Sequence, residues 1–437
     1  MSLMLTSIAA SGLAIIISFV LFCVLCYKNF GSIAAAVLCA AIVSLTCLSG
    51  FTEGFFGTFV SGTMSQAQKI FFSFFFGSVF EVLNATGGAH SLSKFCVQKF
   101  GVGSAPYIIM LLSAILNYVG VGSSMFICAY ISFSLFRQAN LPRTIACVAI
   151  AGVTPLINAT APGNLQVVNV VASSVLGTSL YSGAAIGIVT TIVGLLLIAL
   201  YIKKMTDTAK EKLEGYIPFE GEEASGDESL PPVSLPITAL ILVAVLCMIC
   251  SLGLKWGSVP TAVTSLIIPT VFLAFTCKKY IKGDLFKIID GASKICLYPL
   301  IGTCAVVGFA SVVTDTNAYN LVIGALKNWT VNPYIICAVG AAIVAALCAD
   351  AVGGSASFLA MMGQPLVEMG ANIGIIHRIC TLATSTFNSL PHAGAVVTSL
   401  AVMHCTHKEC YKDIAIITIG IPVVYTIIGT IMAILLY

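Results

Sequence analysis

Residues 377–413 make an apolar stretch of membrane length that is interrupted at Asn388, Ser389, Leu390, Pro391, His392, Ala393 and Gly394. In hydrocarbon no water is present to satisfy free backbone groups. A proline, a glycine and polar side chains at that depth are therefore tolerated only inside protein or beside a wet cavity. The break is read as part of a binding site, and the rest of the chain must enclose it. The composition suits such an enclosure, since of 437 residues 59% are hydrophobic and 8% charged, against about 25% charged in soluble domains. The chain reads as a polytopic, all-α membrane protein with room for about ten to twelve spans of roughly 20 residues. A net charge of +3 gives no nucleic-acid surface. The 17 cysteines lie mostly in apolar runs, and the CxxC spacings Cys23/Cys26 and Cys247/Cys250 read as small apolar pairs on helix faces; no metal or cofactor is expected. The first residues lack a basic region, so the run from Met4 to Tyr27 reads as a retained span.

The candidate spans fall into two halves around a polar linker. The first half, 1–203, holds runs at 4–26, 31–50 and 70–93, interrupted stretches at 105–137 and 143–175, and a run at 182–202. The linker, 204–235, carries 8 of the 17 acidic residues and suits a solvated cytoplasmic connector. The second half, 236–437, holds runs at 236–254, 258–277 and 295–325, interrupted stretches at 332–369 and 376–405, and a run at 412–436. Pro106-Tyr107-Ile108-Ile109 recurs as Pro333-Tyr334-Ile335-Ile336, each opening a run that breaks at glycine and serine, and Arg143 and Arg378 each precede a run that stops at a proline, Pro155 and Pro391. Such paired interruptions predict two repeats, each with five spans, a re-entrant hairpin and a helix broken at the midplane. An odd number of crossings inverts the second repeat. That arrangement places 16 of the 20 lysines and arginines on one face, with Lys69, Lys255, Lys327 and Arg378 opposite; the rich face is then cytoplasmic and both termini lie outside.

Four polar clusters fall at membrane depth. The hairpin tips supply Asn117, Gly122, Ser123 and Ser124 in the first half and Gly354, Ser355 and Ser357 in the second. The broken helices supply Asn158, Thr160 and Gly163, and then Ser385, Asn388, Pro391, His392 and Gly394. Inverted repeats bring such clusters together near the midplane. Half-helices that start there aim free N–H groups and positive dipole ends inward, which suits a carboxylate without a buried lysine or arginine. The same hydroxyls and carbonyls also suit sodium. Each cluster has a plainer reading: Ser and Thr bonding back to their own helices, Pro155 as a kink, and the glycine-serine tips as close helix contacts.

Ionisable residues at membrane depth are costly and count as functional candidates. Asp350 and His392 are the first choices for handling protons, and Glu81 and Asp315 the second. His90, His377, His404 and His407 sit near predicted span ends and read as solvated.

The segment L-P-H-x-G-A-V at 390–396, followed by T-H-K-x-x-Y-K-D-I at 406–414, resembles the C-terminal signature of the gluconate permease family, within the ion-transporter superfamily. Weaker echoes lie in FEVLNATGGAHSLSKF at 80–95, the GGSAS tip and the TAPGNLQ break. The resemblance implies two inverted repeats, a scaffold that dimerises, a moving transport domain, and proton symport of gluconate- or hydroxybutyrate-like anions in a prokaryotic plasma membrane. It carries a site role onto Pro391, His392, Gly394 and Ser355. The tip reads GGSASF where the family pattern is G-S-A-T-V-A-like, so gluconate preference does not transfer. The expected function is a proton-coupled, elevator-type carrier of a small organic anion. Sodium coupling is the alternative and a channel a third reading. An intramembrane hydrolase using Ser355 or Ser385 with His392 is remote, since no HExxH or GxSxG context accompanies them.

Overall fold

The structure, a computed structural model, describes residues 7–28, 32–65, 78–79, 81–121, 124–219, 230–254, 256, 258–281 and 283–437. Gly122, Ser123, Lys69, Lys255 and Lys282 lie outside the described residues, as does the acidic middle of the linker, 220–229. Among the described residues there are helices and turns and no strand, only an isolated bridge between Cys47 and Thr316.

Helices α1 (Ile8–Tyr27) and α2 (Ser32–Ser44) pack together, and a π-helical turn, Glu53–Phe59, leads into the short α3 (Val60–Met64). Helix α4 (Gly88–Phe100) meets α5 (Ala105–Tyr118) at a sharp corner, the chain bending by 113° between Gly88–Phe100 and Val102–Tyr118. Then follow α6 (Ser124–Ala139), α7 (Arg143–Thr160), α8 (Val167–Leu176) and the long α9 (Ala184–Glu211). Beyond the linker come α10 (Ser234–Met248), α11 (Ser258–Thr276), α12 (Leu285–Thr314) and α13 (Asn317–Lys327). The chain ends with α14 (Pro333–Cys348), α15 (Ala351–Glu368), α16 (Ile373–Thr384), α17 (Gly394–Val402) and α18 (His407–Ala415), which continues through Ile416–Gly420 into α19 (Ile421–Leu436). By length and composition Arg143–Thr160, Ala184–Glu211 and His407–Leu436 can each cross a membrane, and the bent pair at Gly88–Tyr118 makes a fourth if it is one span.

Local chemistry sets the ends of these helices. Pro333 stands at the first position of α14, where a missing N–H costs nothing, and the Asn332 side chain accepts from Tyr334 N at 3.0 Å. Thr406 and Glu409 form a reciprocal capping box at the start of α18. At the first tip Gly120 turns with φ +86°, and a Cβ there would lie 2.7 Å from Leu165 Cβ and 3.0 Å from Leu165 O. Only glycine fits both the conformation and the approach. At the second tip just Ala349 and Asp350 separate α14 from α15, and a Cβ on Gly354 would fall 2.7 Å from Ala345 Cα. Gly354 thus lets the two helices of this hairpin touch at the backbone.

Two apolar clusters hold the helices. The larger spans α4–α11 and α13–α19, while the smaller joins Phe22, Ala36, Cys39 and Val43 of α1 and α2 to Val306, Phe309 and Val313 of α12. Val243 and Cys247 of α10 and Leu266 of α11 belong to the larger cluster. The helix after Arg143 also runs through Pro155 to Thr160, so this run stops past the proline, at residues 161–166.

The close approach of α15 to α14 leads to a prediction. Gly354→Ala pushes against backbone that cannot swing aside, and overpacking of this kind costs about 1–3 kcal/mol. Gly324→Ala, with nothing within 4 Å of the added atom, is the control. Thermal melts of purified protein should show a clear drop for the first and none for the second; equal melts would contradict the contact.

Candidate functional site

The first tip and the first break are bonded to each other. Asn117 Nδ2 donates to Ser113 O at 2.8 Å and lies 3.3 Å from Thr154 Oγ1, while Asn117 Oδ1 accepts from Gln166 Nε2 at 3.2 Å. Leu165 N donates to Tyr118 O at 3.1 Å, and Tyr118 OH donates to Pro162 O at 3.1 Å. Within the break Asn164 Oδ1 accepts from Gln166 N at 3.1 Å, and Gly163 turns with φ +76° beside the Tyr181 ring, its N–H donating to Leu180 O at 3.0 Å. Thr160 bonds back to Leu156 O and meets Thr191 Oγ1 at 2.8 Å.

Helix α16 stitches this region to the second half. Arg378 is fully buried: its Nη1 donates to Ala159 O at 3.0 Å, its Nε to Ser182 O at 3.1 Å and its Nη2 to Leu180 O at 3.3 Å. Thr381 Oγ1 donates to the same Ala159 O at 2.9 Å. His377, also fully buried, has Nε2 2.8 Å from Asn169 Oδ1 and Nδ1 2.7 Å from Thr178 Oγ1. These positions correct two expectations. Arg378 is no marker of an outer face, and His377 is not solvated. A guanidinium carries five donors in a fixed fork, which suits a backbone whose carbonyls have been released by a helix break.

The second tip and break present a different balance. Ser355 Oγ lies 3.0 Å from Thr384 Oγ1, and Ser385 Oγ 2.6 Å from Tyr425 OH. Asp350 caps its own helix, accepting from Gly353 N at 2.7 Å, so the start of α15 already holds a carboxylate. The break itself is held from outside: Tyr411 OH donates to Ser389 O at 3.2 Å, His407 Nε2 lies 2.9 Å from Pro391 O, and Ser389 Oγ donates to Asn388 Oδ1 at 3.1 Å. His407 is thus half-buried and structural, whereas His404 is exposed and stacks on Phe219 with ring centres 3.8 Å apart.

Three of the buried side-chain atoms left unmet among the described residues lie at the breaks, the others being Arg137 Nε, Thr261 Oγ1 and Thr426 Oγ1. Both nitrogens of His392 are buried without a hydrogen-bond partner, and so is Asn158 Oδ1 at the end of α7. The His392 ring sits between Phe19 and Phe22 of α1, with centres 4.5 Å and 5.7 Å away. Helices α8 and α17, which restart after the breaks, follow Gln166 and Ala393, neither of which supplies a side-chain cap. An unpaired buried polar group costs about 1–3 kcal/mol; two such residues beside two uncapped helix starts are where a ligand's oxygens would find partners. Of the other candidates, Ser124 is buried at the start of α6, Ser357 is half-buried on α15, and Gly394 opens α17. Glu81 accepts from Tyr130 OH at 3.3 Å. Asp315 accepts from Ser49 Oγ and borders a separate polar cavity of about 570 Å³ lined also by Thr58, Ser61, Ser65, Ser311 and Thr314.

Sequence reasoning missed Gln166, Asn169, His377 and Arg378 as parts of this region. The signal was present: His377 and Arg378 stand side by side in the otherwise apolar run Ile373–Thr384, and ionisable groups inside such runs are functional candidates.

No family model matches this chain. Over 441 residues it is 26% identical to a Bacillus subtilis (strain 168) protein named "Uncharacterized transporter YxjC", covering 90% of this chain and 92% of that one. A solved structure, the YdaH transporter of Alcanivorax borkumensis, described as having an unusual topology, is similar at a TM-score of 0.47 with 14% identity, covering 96% of this chain and 97% of that one.

The fork on Arg378 leads to a prediction. Arg378→Lys keeps the charge but places its donors on one nitrogen; Ala159 O keeps Thr381 and Leu180 O keeps Gly163 N, so the loss falls on Ser182 O, at about 1–3 kcal/mol. Hydrogen exchange over 178–183 should speed up and the melting temperature fall; unchanged exchange would show that the fork is dispensable.

Proposed function

We propose that this protein is a secondary transporter of a small organic anion, a hydroxy- or short-chain carboxylate, coupled to protons and working by alternating access. The observation that carries the reading is the occurrence, at two helix breaks, of helix starts without a side-chain cap together with the buried, unpaired Asn158 Oδ1 and His392 ring nitrogens. Positive helix ends favour carboxylate oxygens there, and the buried charge of Arg378 beside the first break adds to the same field. The similarity to a relative named as a transporter supports the class. The repeated order of elements supports the inverted-repeat reading: two helices about a tip, a broken helix, then a long helix, first in α5–α9 and again in α14–α19. The smaller cluster of α1, α2 and α12 is the candidate scaffold, along which the larger bundle would travel as an elevator, and a homodimer would form through that scaffold.

His392 is the favoured proton carrier, because Asp350 is engaged as a helix cap. That same engagement supports a second reading, sodium coupling, in which buried oxygens of Thr386, Asn388 and Ser389 hold the ion.

In proteoliposomes an inward proton gradient should accelerate uptake of a labelled small hydroxy-carboxylate, and His392→Gln should lower the gradient-driven rate at least about tenfold, equivalent to about 1.4 kcal/mol. Uptake indifferent to the proton gradient but abolished when choline replaces sodium at fixed pH selects the sodium reading. No uptake of any carboxylate overturns the proposal.

A further inference from the structure

Away from both breaks, three cysteines from separate elements converge. Cys147 lies one turn into α7, Cys405 in the link after α17, and Cys410 on α18. Their sulfurs all lie within 4.8 Å of one another, all three are buried, and none is in a disulfide. Three sulfurs each about 2.3 Å from a common ion stand about 4 Å apart, which fits this spacing.

From this geometry we infer that Cys147, Cys405 and Cys410 form a trigonal thiolate site for a soft d10 cation of the monovalent-copper class. The donor set decides the class. It contains sulfur alone, with no imidazole or carboxylate within the group, and thiolates select soft cations over magnesium, calcium or manganese. Three ligands rather than four, in a buried place, suit a trigonal monovalent ion better than tetrahedral structural zinc. The surroundings are also soft: Met125 Sδ accepts from Ser399 Oγ at 3.0 Å, and Ser399 O lies 4.0 Å from Cys147 Sγ. Arg143, one turn before Cys147 on the same helix, places a positive charge near the anionic cluster.

The arrangement is built rather than accidental along the chain. The capping box of Thr406 and Glu409 fixes the turn between Cys405 and Cys410, and Cys405 Sγ lies 3.4 Å from Met403 O. On binding, each ligating thiol gives its proton to water and its sulfur lone pair to the ion, so no oxidant or reductant is consumed. An ion held there ties α7, which ends at the first break, to the segment that follows the second, and braces the bundle around the candidate anion site. The inference does not rest on the transport reading, since the three sulfurs meet whatever the cargo.

The test uses full-length purified protein, reduced and kept anaerobic, with copper(I) delivered from a chromogenic chelator. The wild type should retain one more copper per chain than Cys147→Ala, Cys405→Ala or Cys410→Ala, while Cys96→Ala, outside the cluster, keeps the full complement. X-ray absorption should show three sulfur neighbours. Because a variant can fail to fold, the X-ray absorption measurement on the wild type needs no substitution. Equal copper in all folded variants, or a copper spectrum without three sulfur neighbours, overturns the site.

Discussion

A backbone that stops being helical inside an apolar bundle releases N–H and C=O groups that water cannot reach, and the structure is arranged around meeting them. The carbonyl of Ala159 at the first break, and those of Leu180 and Ser182 in the turn before α9, are met by the guanidinium of Arg378, from the other half of the chain, with Thr381 sharing the bond to Ala159. The His377 ring adds a bridge to Asn169 and Thr178. These contacts link residues about 200 positions apart, so the two halves are held by polar bonds as well as by apolar packing. In a medium where lipid is as apolar as leucine, such bonds supply specificity that hydrophobic burial alone does not.

The tips and the breaks divide the polar work unequally. At the tips the polar groups are largely satisfied within the protein: Asn117 by Ser113 and Gln166, Ser355 by Thr384, and the first turn of α15 by Asp350. Those residues position the hairpins. At the breaks the second half-helices start without a side-chain cap, and Asn158 Oδ1 and both His392 nitrogens have no hydrogen-bond partner. The unpaired polar atoms at the breaks are the candidate binding groups, and the tips brace them.

Much of the helical layout was legible in the sequence, because apolar runs, glycines and prolines report directly on where a helix continues or stops. The end of α7 was harder. Pro155 suggested a stop, yet the helix carries it and ends at Thr160, since Pro162 and Gly163 follow in a segment clamped by Tyr118 and Leu180. Charges misled for a related reason: Arg378 was counted on the outer face from its place in the order of spans, and its three carbonyl partners come from residues some 200 positions away. The thiol cluster was equally hidden, for Cys147 and Cys405 are distant in sequence and only packing of α7 against α18 brings them together. What a local pattern reports is the existence of a break; what meets the break is a tertiary matter.

The claim on which this account stands is that the two breaks, 161–166 and 385–393, receive one anion together. Hydrogen exchange read by mass spectrometry, with and without a carboxylate that raises the melting temperature, tests it most directly. The account predicts that amides at the starts of α8 and α17 slow together on adding that carboxylate, with the same midpoint concentration. Protection at one break alone, or protection that appears only around Asp315 and its polar cavity, would contradict it.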